Sequence, residues 1–174
     1  MKIKPQLLFI FTVLGLSVYG QVTDTIDRHN RVYTRSIQLL TGFTFGRSKF
    51  VEIGVAKNIR TLLGPHASSS TIFVSTEMKV GDKFIMGPKI GCWSAGGVGG
   101  IAMGANMIYY TDFDNGTLVF RPEIGFGLNC CKFVYGYNVR LTKNILEGIN
   151  YSVGSIFIGI PVKKLKDKVI LIGN

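Results

Sequence analysis

Ile90–Tyr110 reads IGCWSAGGVGGIAMGANMIYY, twenty-one residues without a charge. That is long enough to cross a bilayer as a helix, and Gly96, Gly100 and Gly104 recur at the spacing of a membrane-helix packing face. A period of two accounts for the same residues. Ile101, Met103, Ala105, Met107 and Tyr109 then share one side, and Gly100, Ala102, Gly104 and Asn106 share the other. Ile90–Trp93 closes a preceding strand, and SAGGVG is the turn. A lone helix here would also leave an odd number of β-segments with unpaired edges in a membrane, where each unsatisfied backbone group costs several kcal/mol. The stretch is therefore read as a β-hairpin.

Working outward from it, period-two segments separated by turn residues give eight strands. They are Ser36–Gly46, Phe50–Ala56, Thr71–Val80, Phe84–Trp93, Gly99–Tyr110, Thr117–Asn129, Lys132–Leu141 and Tyr151–Val162. Lys57–Ser70 reads as a long loop.

The faces of these strands differ consistently. In Thr117–Asn129, Leu118, Phe120, Ile124 and Phe126 oppose Arg121, Glu123, Gly125 and Gly127. In Lys132–Leu141, Phe133, Tyr135 and Tyr137 oppose Lys132, Gly136 and Arg140. One face is apolar throughout. The other carries the charges together with Gly42, Gly54, Gly87, Gly91, Gly125, Gly127 and Gly136. A glycine-rich polar face suits the inside of a narrow closed barrel, and an uncharged apolar face suits lipid. The expected fold is all-β: an eight-stranded antiparallel up-and-down transmembrane β-barrel after an N-terminal signal peptide.

The ends of the chain and its totals agree with export. Residues 1–20 have Lys2 and Lys4, a short apolar run from Leu7 to Val18, and Gly20 before Gln21, the form of a cleaved signal peptide. Residues 21–35 read as a polar lead-in, 36–162 as the barrel domain, and 163–174 as a basic tail holding Lys163, Lys164, Lys166 and Lys168. Charged residues make up 17% of the chain, below the usual quarter or so, and the 22 glycines in 174 residues are roughly twice the ordinary share. The net charge of +10 falls to +8 once the two leader lysines go. For an exported chain this excess points away from nucleic acid, toward anionic lipid headgroups or surface polysaccharide. Cys92, Cys130 and Cys131 are an odd set, read as free and mostly buried thiols with no disulfide framework.

The segments MGPKIGCW, YYTDF, RPEIGFG, KFVYGYN and EGIN within residues 84–165 resemble a family of uncharacterised small outer-membrane β-barrel proteins of Bacteroidetes, flavobacterial in type. The resemblance implies a signal peptide, a barrel and outer-membrane localisation, and no assigned activity. The long Lys57–Ser70 segment departs from the usual plan of short periplasmic turns and long outer loops.

No segment argues for catalysis. His29 and His66 lie outside the expected strands, and His66 beside Ser68, Ser69 and Ser70 lacks an ordered base and orienting group. Gly97–Ala102 matches a dinucleotide fingerprint only loosely, without a βαβ unit. Asp112, Asp114 and Asn115 before Gly116 are spaced too closely for a calcium loop and suit a hairpin turn. No cofactor and no metal is expected. The strongest constellation is the charge set of the glycine-bearing face: Glu52, Glu77, Lys79, Lys89, Arg121, Glu123, Lys132 and Arg140. Three acids and five bases there read as a structural network filling the lumen, with Lys132 or Arg140 as partner of Glu123. The expected role is structural or interactive, with partners being outer-membrane lipid and, through the loops, polysaccharide or protein. The alternative, a soluble secreted lipocalin-like barrel for a small apolar ligand, requires the opposite facing, with Phe120, Ile124 and Phe126 lining a pocket.

Overall fold

The computed structural model describes residues 30–63, 66–81, 83–96, 100–127, 131–144 and 146–171. The expected signal peptide, His29 and Cys130 lie outside them. Nine strands follow in order: β1 (Asn30–Phe45), β2 (Lys49–Leu63), β3 (His66–Val80), β4 (Met86–Gly96), β5 (Ile101–Thr111), β6 (Gly116–Gly127), β7 (Cys131–Tyr137), β8 (Val139–Arg140) and β9 (Ser152–Leu171). All pairings are antiparallel between neighbours in the chain, and β9 returns to pair with β1. Strands β7 and β8 both pair with β6 and form one interrupted strand, so the sheet closes as an up-and-down ring of eight. Among the described residues no helix is long and apolar enough to cross a membrane, which says nothing of crossing by strands.

The expected hairpin is present, with Trp93 opposite Gly104, but β4 runs on through Ser94 and Ala95 to Gly96, so half of the expected SAGGVG turn is strand, and β5 begins at Ile101. The interruption at Asn138 has a clear cause. Its backbone N–H donates to Tyr151 O (2.7 Å) and its side-chain amide to Asn150 O (2.7 Å), so the connection before β9 takes over the bonds of the ladder.

Four expectations are corrected. Lys57–Ser70 is not a loop, because β2 runs to Leu63 and β3 starts at His66 in unbroken register, Asn58 facing Thr71 and Thr61 facing Ser68. Inward Asn58 and Thr71 are buried and bonded to each other at 3.1 Å, so the alternation here is polar against polar and carries no hydropathy signal. Residues 30–35 are not a separate lead-in, and the chain after Val162 is not a free tail. Asn30 pairs with Leu171 and Tyr33 with Lys168, so β1 and β9 support each other's backbone. Cys92 is exposed and Cys131 half-buried, whereas burial was expected. Cys92 sits on the outward face of β4, opposite Ile72.

The ring is polar inside and apolar outside. Ile72, Val74, Ile90, Met103, Ile124 and Phe126 point outward and are each more than half exposed. Their neighbours Phe73, Ser75, Lys89, Ala102 and Glu123 point inward and are buried. Phe120, Ile124 and Phe126 lie outside, which is the reverse of what an internal apolar pocket would need. Within the ring, one apolar layer gathers Leu40, Phe73, Trp93 and Phe157, and another gathers Phe50, Ile85, Ile108 and Val119. The charged residues lie on the same inward face as these two clusters.

At the end opposite the β8–β9 connection, β9 and β1 continue past the end of β7. The last β7 partner of β9 is Ile158, and from Gly159 onward β9 pairs only with β1. This extension carries Arg35, Lys163 and Lys164, all exposed.

Candidate functional site

Glu52 on β2 and Glu77 on β3 stand directly opposite each other, a like-charge pair that would be repulsive alone. Lys89 on β4 resolves it, its Nζ lying 2.9 Å from Glu52 Oε2 and 3.0 Å from Glu77 Oε1. Arg121 on β6 grips Glu77 from the far wall through both terminal nitrogens, at 2.6 and 3.1 Å. Bidentate contact of this kind is the strongest geometry available to a guanidinium and a carboxylate. Tyr110 donates to Glu77, Ser75 donates to Glu52 at 2.6 Å, and Arg121 Nε donates to Asn138 Oδ1 at 2.7 Å.

A second pair adjoins the first. Lys132 on β7 donates to Glu123 Oε2 at 3.0 Å, while Glu123 Oε1 has no partner among the described residues. The ammonium of Lys132 also lies 4.4 Å from the Phe157 ring centre and 5.3 Å from that of Trp93, within the range of cation–π attraction.

Of the eight charged residues named from sequence, the structure thus brings six together. Three acids (Glu52, Glu77, Glu123) balance three bases (Lys89, Arg121, Lys132), so the buried set is neutral. Glycines make room for it. A Cβ at Gly136 would lie 3.0 Å from Arg121 Cδ, and one at Gly87 would lie 2.7 Å from the Tyr110 ring.

Lys79 and Arg140 are not members. Both lie half-buried at the end of the ring where β3 and β8 finish, and Arg140 packs on the Tyr151 ring at 4.7 Å. Of the two partners expected for Glu123, Lys132 is the one in contact.

At that end the connection between β8 and β9 folds over the mouth of the ring. Leu146 and Ile149 are buried against the apolar layer of Phe50 and Ile85. Asn150 ties the connection to the β1–β2 turn, accepting from Ser48 N (2.7 Å) and donating to Ser48 O (2.6 Å). Gly148 takes φ +92°, a left-handed conformation that glycine adopts without strain. Above this floor is an open depression of about 770 Å³, lined by Arg47, Lys79, Lys83, Arg140, Glu147 and Tyr151 among others. Sequence reading missed it, because its residues come from four separated turns and strand ends.

The minor candidates are placed as follows. Ser69 is buried inward while Ser68 and Ser70 are exposed outward, so the three serines do not share a face. Asp112 Oδ1 accepts from Asp114 N (3.2 Å) and Asn115 N (2.7 Å), which builds a turn with Phe113 at φ 75°. Among the described residues no three His, Cys, Asp or Glu side chains gather in a metal-binding group. No family model, curated protein or solved structure matches this chain.

Proposed function

We propose that the chain is an exported, small outer-membrane β-barrel protein of the kind it resembles among Bacteroidetes, with a structural or interaction role in the envelope and no catalytic activity. The observation that carries this reading is the inverted distribution of polarity. Glu77 and Arg121 are fully buried inside the ring, while Ile72, Val74 and Phe126 are 65%, 61% and 66% exposed outside it. In water, such a molecule would bear two penalties together: desolvated ions within and a continuous apolar belt without. In a bilayer, the belt is solvated by lipid and only the interior cost remains.

The dimensions support the same reading. On β2, outward Val51, Ile53 and Val55 are bracketed by outward Lys49 and Lys57. The eight steps from Lys49 to Lys57, at about 3.3 Å each and tilted by roughly 40°, span about 20 Å. With lysine side chains reaching outward to the headgroups, that approaches the apolar belt of about 25 Å found in outer-membrane barrels.

Fractionation of producing cells tests the proposal, followed by gel mobility of the membrane fraction with and without boiling. Recovery in the outer membrane with a heat-dependent mobility shift is the expected result. A freely soluble protein would sink it.

A further inference from the structure

We infer that the mouth depression between the β8–β9 connection and the β3–β4 turn is a binding site for an anionic sugar, one bearing phosphate or carboxylate groups. Arg47 comes from the β1–β2 turn, Lys79 from the end of β3, Lys83 from the β3–β4 turn and Arg140 from the end of β8. Four cations from four segments of chain thus face one depression, against a single lining carboxylate, Glu147, giving a local balance of 4 − 1 = +3 among the described residues. Glu147 does little to offset them. Its side chain is 86% exposed and its ion pair to Lys83 is long at 3.8 Å. The buried network cannot serve as counter-charge, since it is already neutral.

The site is held rather than merely lined. The double hydrogen bond between Asn150 and Ser48 fixes the connection to the opposite turn, and buried Leu146 and Ile149 anchor its floor. Lys79 is positioned by that floor, for its Nζ lies 3.0 Å from where a Cβ would stand on Gly148. Arg140 is likewise fixed against Tyr151. The Tyr151 ring is itself 59% exposed, which gives the depression a flat apolar surface beside its cations. Cations and an open aromatic face together suit a charged ring molecule better than a bare inorganic anion.

The site does not depend on the outer-membrane reading; only the source of its ligand does. The anionic sugar could be a free solute or the phosphorylated headgroup of a glycolipid.

The test is titration calorimetry on the purified, folded chain, in detergent or in plain buffer as its solubility dictates, with glucose 1-phosphate, inorganic phosphate and glucose as probes. Saturable binding of glucose 1-phosphate is expected, weaker for phosphate, absent for glucose, and weakened by salt. The double variant Arg47→Gln/Lys83→Gln, at two exposed turn positions, should keep its heat-dependent mobility and lose about tenfold or more in affinity. Tyr151→Ala should reduce the preference for glucose 1-phosphate over phosphate. Equal affinity for phosphate and glucose 1-phosphate would overturn the sugar assignment. Absence of saturable binding, or unchanged affinity in the double variant, would overturn the site. Vesicles carrying a phosphorylated glycolipid separate the two sources: displacement from them by glucose 1-phosphate supports the headgroup, and binding of the free sugar alone supports the solute. Failure of the membrane proposal would appear in fractionation and leave these titrations interpretable.

Discussion

At the scale of single residues, Glu77 and Glu123 are both buried carboxylates, yet the structure treats them unequally. Glu77 receives Arg121, Lys89 and Tyr110, whereas Glu123 is bonded through one oxygen to Lys132. Removing one partner of a buried ion pair costs about 3–5 kcal/mol, because the other charge is left behind. Glu77→Gln should therefore lower the urea midpoint of unfolding substantially, and by more than Glu123→Gln. Replacing Glu77 and Arg121 together by methionine should cost less than the sum of the two single changes, a comparison that a double-mutant cycle makes directly. Equal midpoints for E77Q and E123Q would show that the guanidinium clamp contributes little. Glycine positions give a second prediction at this scale. Gly87→Ala forces a methyl against the Tyr110 ring and should destabilise by about 1–3 kcal/mol. Inward placement of these groups was readable from period two alone. Which of them touch was not, since cross-ring contacts such as Glu77 to Arg121 depend on how the sheet closes.

At the scale of elements, the β8–β9 connection is a cap whose hold rests on Asn150 and Asn138. Asn150→Ala deletes both bonds to Ser48 and should cost about 1–3 kcal/mol locally. Limited proteolysis within residues 142–149 should accelerate, with the rest of the ring still protected. An unchanged cleavage rate would mean that Leu146 and Ile149 suffice to hold the cap. The strands themselves were legible where one face is apolar and the other charged, as in β5 and β6. The β2–β3 extension was not. Asn58, Thr71 and Ser69 face inward there, and with polar residues on the inner side the hydrophobic alternation that marks a strand disappears. The mouth depression escaped for a related reason, since Arg47, Lys83 and Tyr151 come together only through turns.

At the scale of the whole molecule, Cys92 offers a direct reading of what surrounds the belt. It lies outward among Ile72, Ile90 and Met103, all more than half exposed. In a Cys130→Ser/Cys131→Ser background, a water-soluble maleimide should fail to label it in native membranes, and a membrane-permeant one should succeed. Rapid labelling by both would place that face in water and sink the belt assignment. The general architecture was legible because an inverted polarity pattern repeats in strand after strand. The extension past the ring was not, because Lys163 and Lys164 resemble a solvated tail until their pairing with β1 is seen.

Closure of the ring by the first and last strands has a kinetic consequence. The longest ladder joins β1 to the last strand, so it cannot begin to form until β9 has been synthesised. Until then β1 offers an open edge and the outward apolar residues have no settled environment, the condition in which β-rich chains aggregate. Once it has closed, the remaining free margin of β9 is guarded by Pro161 and by Lys163 and Lys164, residues that discourage a passing strand from adding itself. The interval between emergence and closure is therefore the one in which the chain is most open to aggregation, and closure ends it.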